Sequence, residues 1–203
     1  METNEKEFDE KQALQVVDEM ISVVRNKIDD NSFLFLLWGW IVIIGNAFSY
    51  YWATAEKGDF IGYTWMILGP LGGMITGIYV ARQGKKKMVR TYIDTMMAYL
   101  WISFFIALVM FLVFMVIGEN YSLISPLILT ITGIATLTTG GVLKFRPLII
   151  GGLLFFVFSL GTFLISVSSM NNEIQFLLSA AAMTTGYLIP GYMLRAKYRS
   201  DNV

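Results

Sequence analysis

The chain has no cysteine and no histidine. The first absence rules out disulfides and thiolate chemistry. The second removes the commonest general base and the commonest zinc ligand together. A zinc protease built on paired histidines and a serine protease relying on a histidine base are thereby excluded. Charge is scarce as well, at 15% of 203 residues against about a quarter in ordinary soluble domains. It is also unevenly spread, since residues 33–81 carry only Glu56, Lys57 and Asp59. A soluble domain does not segregate charge in this way, whereas a chain that crosses a bilayer repeatedly does.

What the chain has in abundance is apolar sequence, 56% of the total. A bilayer core about 30 Å thick needs roughly 20 apolar residues of helix. Six segments meet that requirement: 33–55, 60–81, 92–118, 123–143, 147–170 and 174–194. The expected fold is all-α, a polytopic membrane helix bundle of six transmembrane helices that form three successive helical hairpins. Each even span ends in a cation, Arg82, Lys144 and Arg195. Either a threefold internal repeat or the topology rule below produces that pattern.

Helix starts carry capping chemistry at Ser32, Asp59, Thr91, Ser125 with Pro126, and Asn172. Lys144 and Arg146 break the fourth and fifth runs apart, and Pro147 suits the first turn of the fifth helix. Asp94, three residues after Thr91, has capping-box spacing and reads as structural. The first 32 residues are charged and precede a long apolar run, so no signal peptide is expected and that run is read as an anchor.

Lys and Arg accumulate in short cytoplasmic loops. With residues 1–32, 82–91, 144–146 and 195–203 inside, fourteen of the fifteen basic residues face the cytoplasm and only Lys57 faces out. The expected location is the cell inner or plasma membrane, with both termini cytoplasmic. Trp38, Trp40, Tyr50, Tyr51 and Trp52 lie near the two ends of the first span. They suit the membrane interfaces, or else pack between helices.

Three domains follow: an acidic cytoplasmic amphipathic helix in 1–32, the six-span domain in 33–194 and a basic cytoplasmic tail in 195–203. The head holds nine acids and four bases, a net of −5, while the rest of the chain holds six acids and eleven bases, a net of +5. Leu14, Val17, Ile21, Val24 and Ile28 form one helical stripe in it. That stripe has three candidate destinations: the membrane surface, a partner helix, or the protein's own basic loop at Lys85, Lys86 and Lys87. Anionic lipid repels a negative head, and two heptads are short for a coiled coil. Docking on the loop or on a partner protein is therefore the preferred expectation.

Inside the bilayer, Gly69, Gly73 and Gly77 recur every four residues, as do Ala182 and Gly186, and both stripes suit close helix contact. Pro70 and Pro190 accompany them. A Gly/Pro-broken pair of spans is also a pointer to a transporter site. No charged side chain sits near the middle of any span, which disfavours proton coupling. The polar groups present are Asn46, the hydroxyls of Thr130, Thr132, Thr136, Thr138 and Thr139, and Thr184 and Thr185. Asn46 is read as interhelical glue or a ligand contact, and the threonines as bonded to their own backbone.

The leading expectation is a non-enzymatic regulatory or accessory membrane protein, with no cofactor and no metal. Its partners are the lipid bilayer and a protein or a second copy of itself; nucleic acid is not expected. The alternative is a passive channel or small-solute transporter whose path runs past Asn46, Thr132, Thr136 and Thr139. A lipid-modifying enzyme ranks third, for want of catalytic groups.

Overall fold

A computed structural model describes residues 32–84, 92–119, 121–168 and 173–200. The described residues contain no strand and are almost wholly helical. Six helices are long and apolar enough to cross a membrane. The first, α1, is Ser32–Thr54. It is followed by α2 (Asp59–Gly84), α3 (Tyr92–Ile117), α4 (Ile124–Val142) and α5 (Arg146–Val167). The last span is composite, with α6 (Ile174–Met183), a π-helical turn (Thr184–Leu188) and α7 (Ile189–Ser200).

Local chemistry explains several boundaries. Asp59 and Asp94 lie in the first turns of α2 and α3, where a carboxylate complements the positive end of the helix dipole. Pro147 occupies the first turn of α5, where its missing N–H costs nothing. The start of the fourth span differs from the expected cap at Ser125. A single 3₁₀ turn, Tyr121–Leu123, leads directly into α4, and Leu123 occupies the cap position without a side-chain hydrogen bond. Pro126 falls inside the first turn, and its carbonyl is used by side chains instead. Asn172, Thr91 and the head residues 1–31 lie outside the described residues.

Pro190 accounts for the break in the last span. It has no N–H to return to the preceding turn, and the helix widens ahead of it. The Ile189 N–H bonds to the Thr184 carbonyl, a five-residue step. The hydroxyls of Thr184 and Thr185 back-bond to the Ala180 and Ala181 carbonyls at 2.8 and 2.9 Å. By contrast, α2 runs unbroken through Pro70.

The core lies between α1, α4, α5 and the last span. Phe35, Leu129, Leu148, Phe155, Ala182, Met183, Tyr187 and Leu194 form one buried cluster. Phe35 and Phe155 meet the Tyr187 ring edge-on at 4.9 and 5.8 Å. α3 buries none of its residues. It touches the cluster through Trp101, 6.5 Å from Phe35 between ring centroids.

α1 and α2 are joined by a reciprocal clasp. The Trp65 ring lies over Gly45, where a Cβ would come within 2.8 Å of it, and the indole N–H donates to Ser49 Oγ at 3.1 Å. The Trp38 ring lies over Gly72, and its N–H donates to Thr76 Oγ1 at 3.0 Å. Each helix thus carries tryptophan, then glycine seven residues on, then a hydroxyl four further on. The two copies meet reciprocally, so one short pattern satisfies both sides of an antiparallel contact.

Candidate functional site

The polar residues of the bundle interior are the natural place to seek a site, because an apolar solvent tolerates polar groups only where they are partnered or used. Asn46 is buried near the middle of α1, and its amide donates to the Val42 carbonyl at 2.8 Å, within its own helix. Thr132 and Thr139 are buried and donate to the Ile128 and Ala135 carbonyls, both at 2.7 Å. Thr136 is completely buried, and its Oγ1 meets no hydrogen-bond geometry, although the Tyr187 hydroxyl approaches it. Thr132, Thr136 and Thr139 share one face of α4, while Asn46 lies on α1.

The neighbouring face of α4, at Gly133, Leu137 and Gly140, is packed against α5. A Cβ placed on Gly152 would sit 2.6 Å from the Leu137 nitrogen, and one on Gly140 would sit 2.7 Å from the Ile149 nitrogen. Backbones this close, with no space even for a Cβ, leave no room for a solute between the two helices.

A second polar cluster lies toward the end of the bundle that carries Glu56, Glu119 and Glu173. Thr130 and Ser159 share a hydrogen bond of 2.7 Å between α4 and α5, and both reach the Pro126 carbonyl, at 2.9 and 2.8 Å. Ser166 donates to the Ser122 carbonyl at 2.9 Å. Thr162 bonds within α5, and Gln175 and Ser179 are buried on α6, where Ser179 Oγ has no partner. A carbonyl oxygen does not accept a proton at neutral pH, so the Thr130–Ser159 pair has no base beside it. Its effect is to hold α4 to α5. Ser159, Thr162, Gln175 and Ser179 escaped the sequence reading; the signal was available as isolated polar residues at helical spacing within apolar runs.

The interfacial reading of the first-span aromatics divides. Trp38 is a packing residue of the clasp. Trp40 is 48% exposed and donates to the Tyr192 hydroxyl at 3.2 Å. The head residues Leu14, Val17, Ile21, Val24 and Ile28 and the loop residues Lys85, Lys86 and Lys87 lie outside the described residues. Among the described residues, no three acidic side chains gather closely enough to hold a metal ion.

No protein-family model, curated protein or solved structure matches the chain.

Proposed function

We propose that the protein is a non-enzymatic regulatory or accessory component of the cell membrane. Both termini lie in the cytoplasm, and the acidic head docks on the basic 82–91 loop or on a partner protein. The observation that carries this reading is the sealing of the bundle interior. The threonines that would line a pathway are buried on the α4 face next to the glycine-mediated α4–α5 contact, and two of the three are already bonded to their own helix. Passage along them requires the helices packed around that face of α4 to separate. The charge division of the sequence supports the cytoplasmic side of the reading, because an acidic segment of net −5 is joined to a body of net +5.

The test is crosslinking with mass spectrometry in native membranes, comparing the full chain with one lacking residues 1–30. A distinct protein captured by the full chain and lost on deletion supports the accessory reading. The alternative, a passive channel or small-solute transporter, draws on Ser179 Oγ, a buried hydroxyl without a partner among the described residues, and on Thr136 Oγ1, which the Tyr187 hydroxyl approaches without ideal geometry. Liposome flux that falls in Thr132→Ala, Thr136→Ala or Asn46→Ala variants of unchanged stability would replace the accessory reading with that one.

A further inference from the structure

The described cations lie almost entirely at one end of the bundle. Arg82 is in the last turn of α2, Lys144 is in the α4–α5 turn, Arg146 begins α5 and Arg195 is in α7. All four are exposed, and none has an ion pair among the described residues. The described acids Glu56, Asp59, Glu119 and Glu173 occupy the opposite end, and Asp94, the exception, is already engaged.

Packing brings two of these cations, Arg82 and Arg195, beside the point where the chain enters α1. Ser32 is buried there. The Phe33 ring stacks on Tyr79 of α2 at 4.4 Å, one turn before Arg82. A Cβ on Gly191 of α7 would lie 3.3 Å from Phe35 Cβ, one turn before Arg195. Leu148, two residues after Arg146, shares the core cluster with Phe35 and Leu194. The start of α1 therefore lies at the end of the bundle that carries these four exposed positive charges, which together form a basic rim.

We infer that this rim is a docking surface for residues 1–30 of the same chain. The inference rests on the self-docking reading of the head and extends it, moving the dock from the 82–91 loop alone to the ends of the helices. Residues 1–31 precede Ser32, and that segment is strongly acidic. Asp30 and Asp29 are two and three residues from Ser32 and reach about 10 Å at full extension. Neighbouring packed helices lie about 8–10 Å apart, so α2 and α7 are within that reach. A single exposed ion pair is weak. A tethered segment with nine acids, however, meets four cations at an effective concentration of about millimolar or above. Free anions and lipid headgroups lack that tether.

The absence of cysteine makes the test direct. Spin labels at Gln12→Cys and Gly141→Cys, the latter an exposed position with open space around it, report the head-to-rim distance in the full chain by pulsed EPR. In phosphatidylcholine nanodiscs at low salt, a narrow distance distribution is expected. It should broaden at about 1 M salt, where the screening length falls to about 3 Å. The combination Lys144→Glu, Arg146→Glu and Arg195→Glu should release the head, and adding Asp29→Lys with Asp30→Lys should restore part of the narrow population. That restoration also guards against a folding defect in the first variant. A broad distribution at every salt concentration overturns both the rim and the self-docking reading. A narrow one that survives the rim reversal but is lost on Lys85→Glu, Lys86→Glu and Lys87→Glu overturns the rim and leaves loop docking standing. A narrow distribution in phosphatidylcholine that disappears in phosphatidylserine-rich nanodiscs shows that lipid headgroups occupy the rim, and overturns the head as its occupant.

Discussion

Two small-residue stripes with the same spacing have opposite fates in this molecule. On the last span, Ala182 and Gly186 are buried, and a Cβ on Gly186 would lie 2.5 Å from the Phe155 ring. On α2, Gly69, Gly73 and Gly77 meet nothing within 4 Å. The glycine of α2 that does make contact is Gly72, one residue from the stripe, which receives Trp38 and Ile41. A shift of one residue rotates a helix position by about 100°, which is enough to exchange a packed face for an open one. The spacing of small residues shows that a close approach is sterically allowed. The large side chains opposite decide whether it happens.

The largest effect that would test this contrast is expected at the α4–α5 contact. Gly152→Leu forces a side chain against the backbone of Leu137, which cannot rotate away, and should destabilise the protein by about 3 kcal/mol or more. Thermal unfolding in detergent measures it. Retention of the wild-type midpoint would mean that α4 and α5 do not pack in this register.

Replacing the clasp tryptophans should cost less, because the opposing atoms belong to side chains. Trp65→Phe and Trp38→Phe each lose one indole–hydroxyl bond, worth about 1 kcal/mol. Since the two halves hold the same helix pair, the double variant should depart from additivity. Strict additivity in a double-mutant cycle would argue that the halves act independently.

A smaller effect, of opposite sign, is expected in the turns. Glu56, Glu119 and Lys144 all adopt left-handed backbone angles, with φ of 57°, 53° and 51°. Glycine has no Cβ to oppose that conformation, and removing an acid from the negative end of a helix relieves a further repulsion. Glu119→Gly should therefore raise stability by about 0.5–1 kcal/mol, read as a higher unfolding midpoint. A fall would place a necessary contact at the Glu119 carboxylate.

The smallest change is expected on the open stripe of α2. Gly73→Ala should leave the unfolding midpoint within about 0.5 kcal/mol. Size-exclusion profiles of the same variant sharpen the comparison. A loss of assembly at unchanged monomer stability would reveal the open stripe as a contact between chains.

Much of the architecture was legible in the sequence because it depends on local and additive properties. Twenty or so apolar residues between charged breaks suffice to make a membrane-length helix, whatever lies beside it. Lys144 and Arg146 therefore marked a turn, and Pro147 a helix start, without knowledge of any neighbour. The interior was less legible. The four candidate pathway residues proved to be buried, yet Asn46 bonds within α1 and the three threonines lie one position away from the α4 face that packs on α5, an assignment that needs the rotation of each helix. The Trp–Gly–hydroxyl pattern was present twice in plain view. Its meaning depends on the two copies running antiparallel and meeting face to face. Ser159 and Thr130 likewise bond across 29 positions of sequence.

By itself, then, the sequence determined the helical class, the number and extent of the apolar helices and the division of charge between head and body. Each follows from hydropathy, backbone chemistry and composition over short windows. Only the tertiary structure decided which glycines are contacts, which hydroxyls join helices and which helix ends, those of α2 and α7, pack beside the start of α1. Those outcomes turn on helix rotation and neighbour choice, set by the fit of Phe155, Trp38 and Trp65 into particular gaps, and no local pattern encodes that fit.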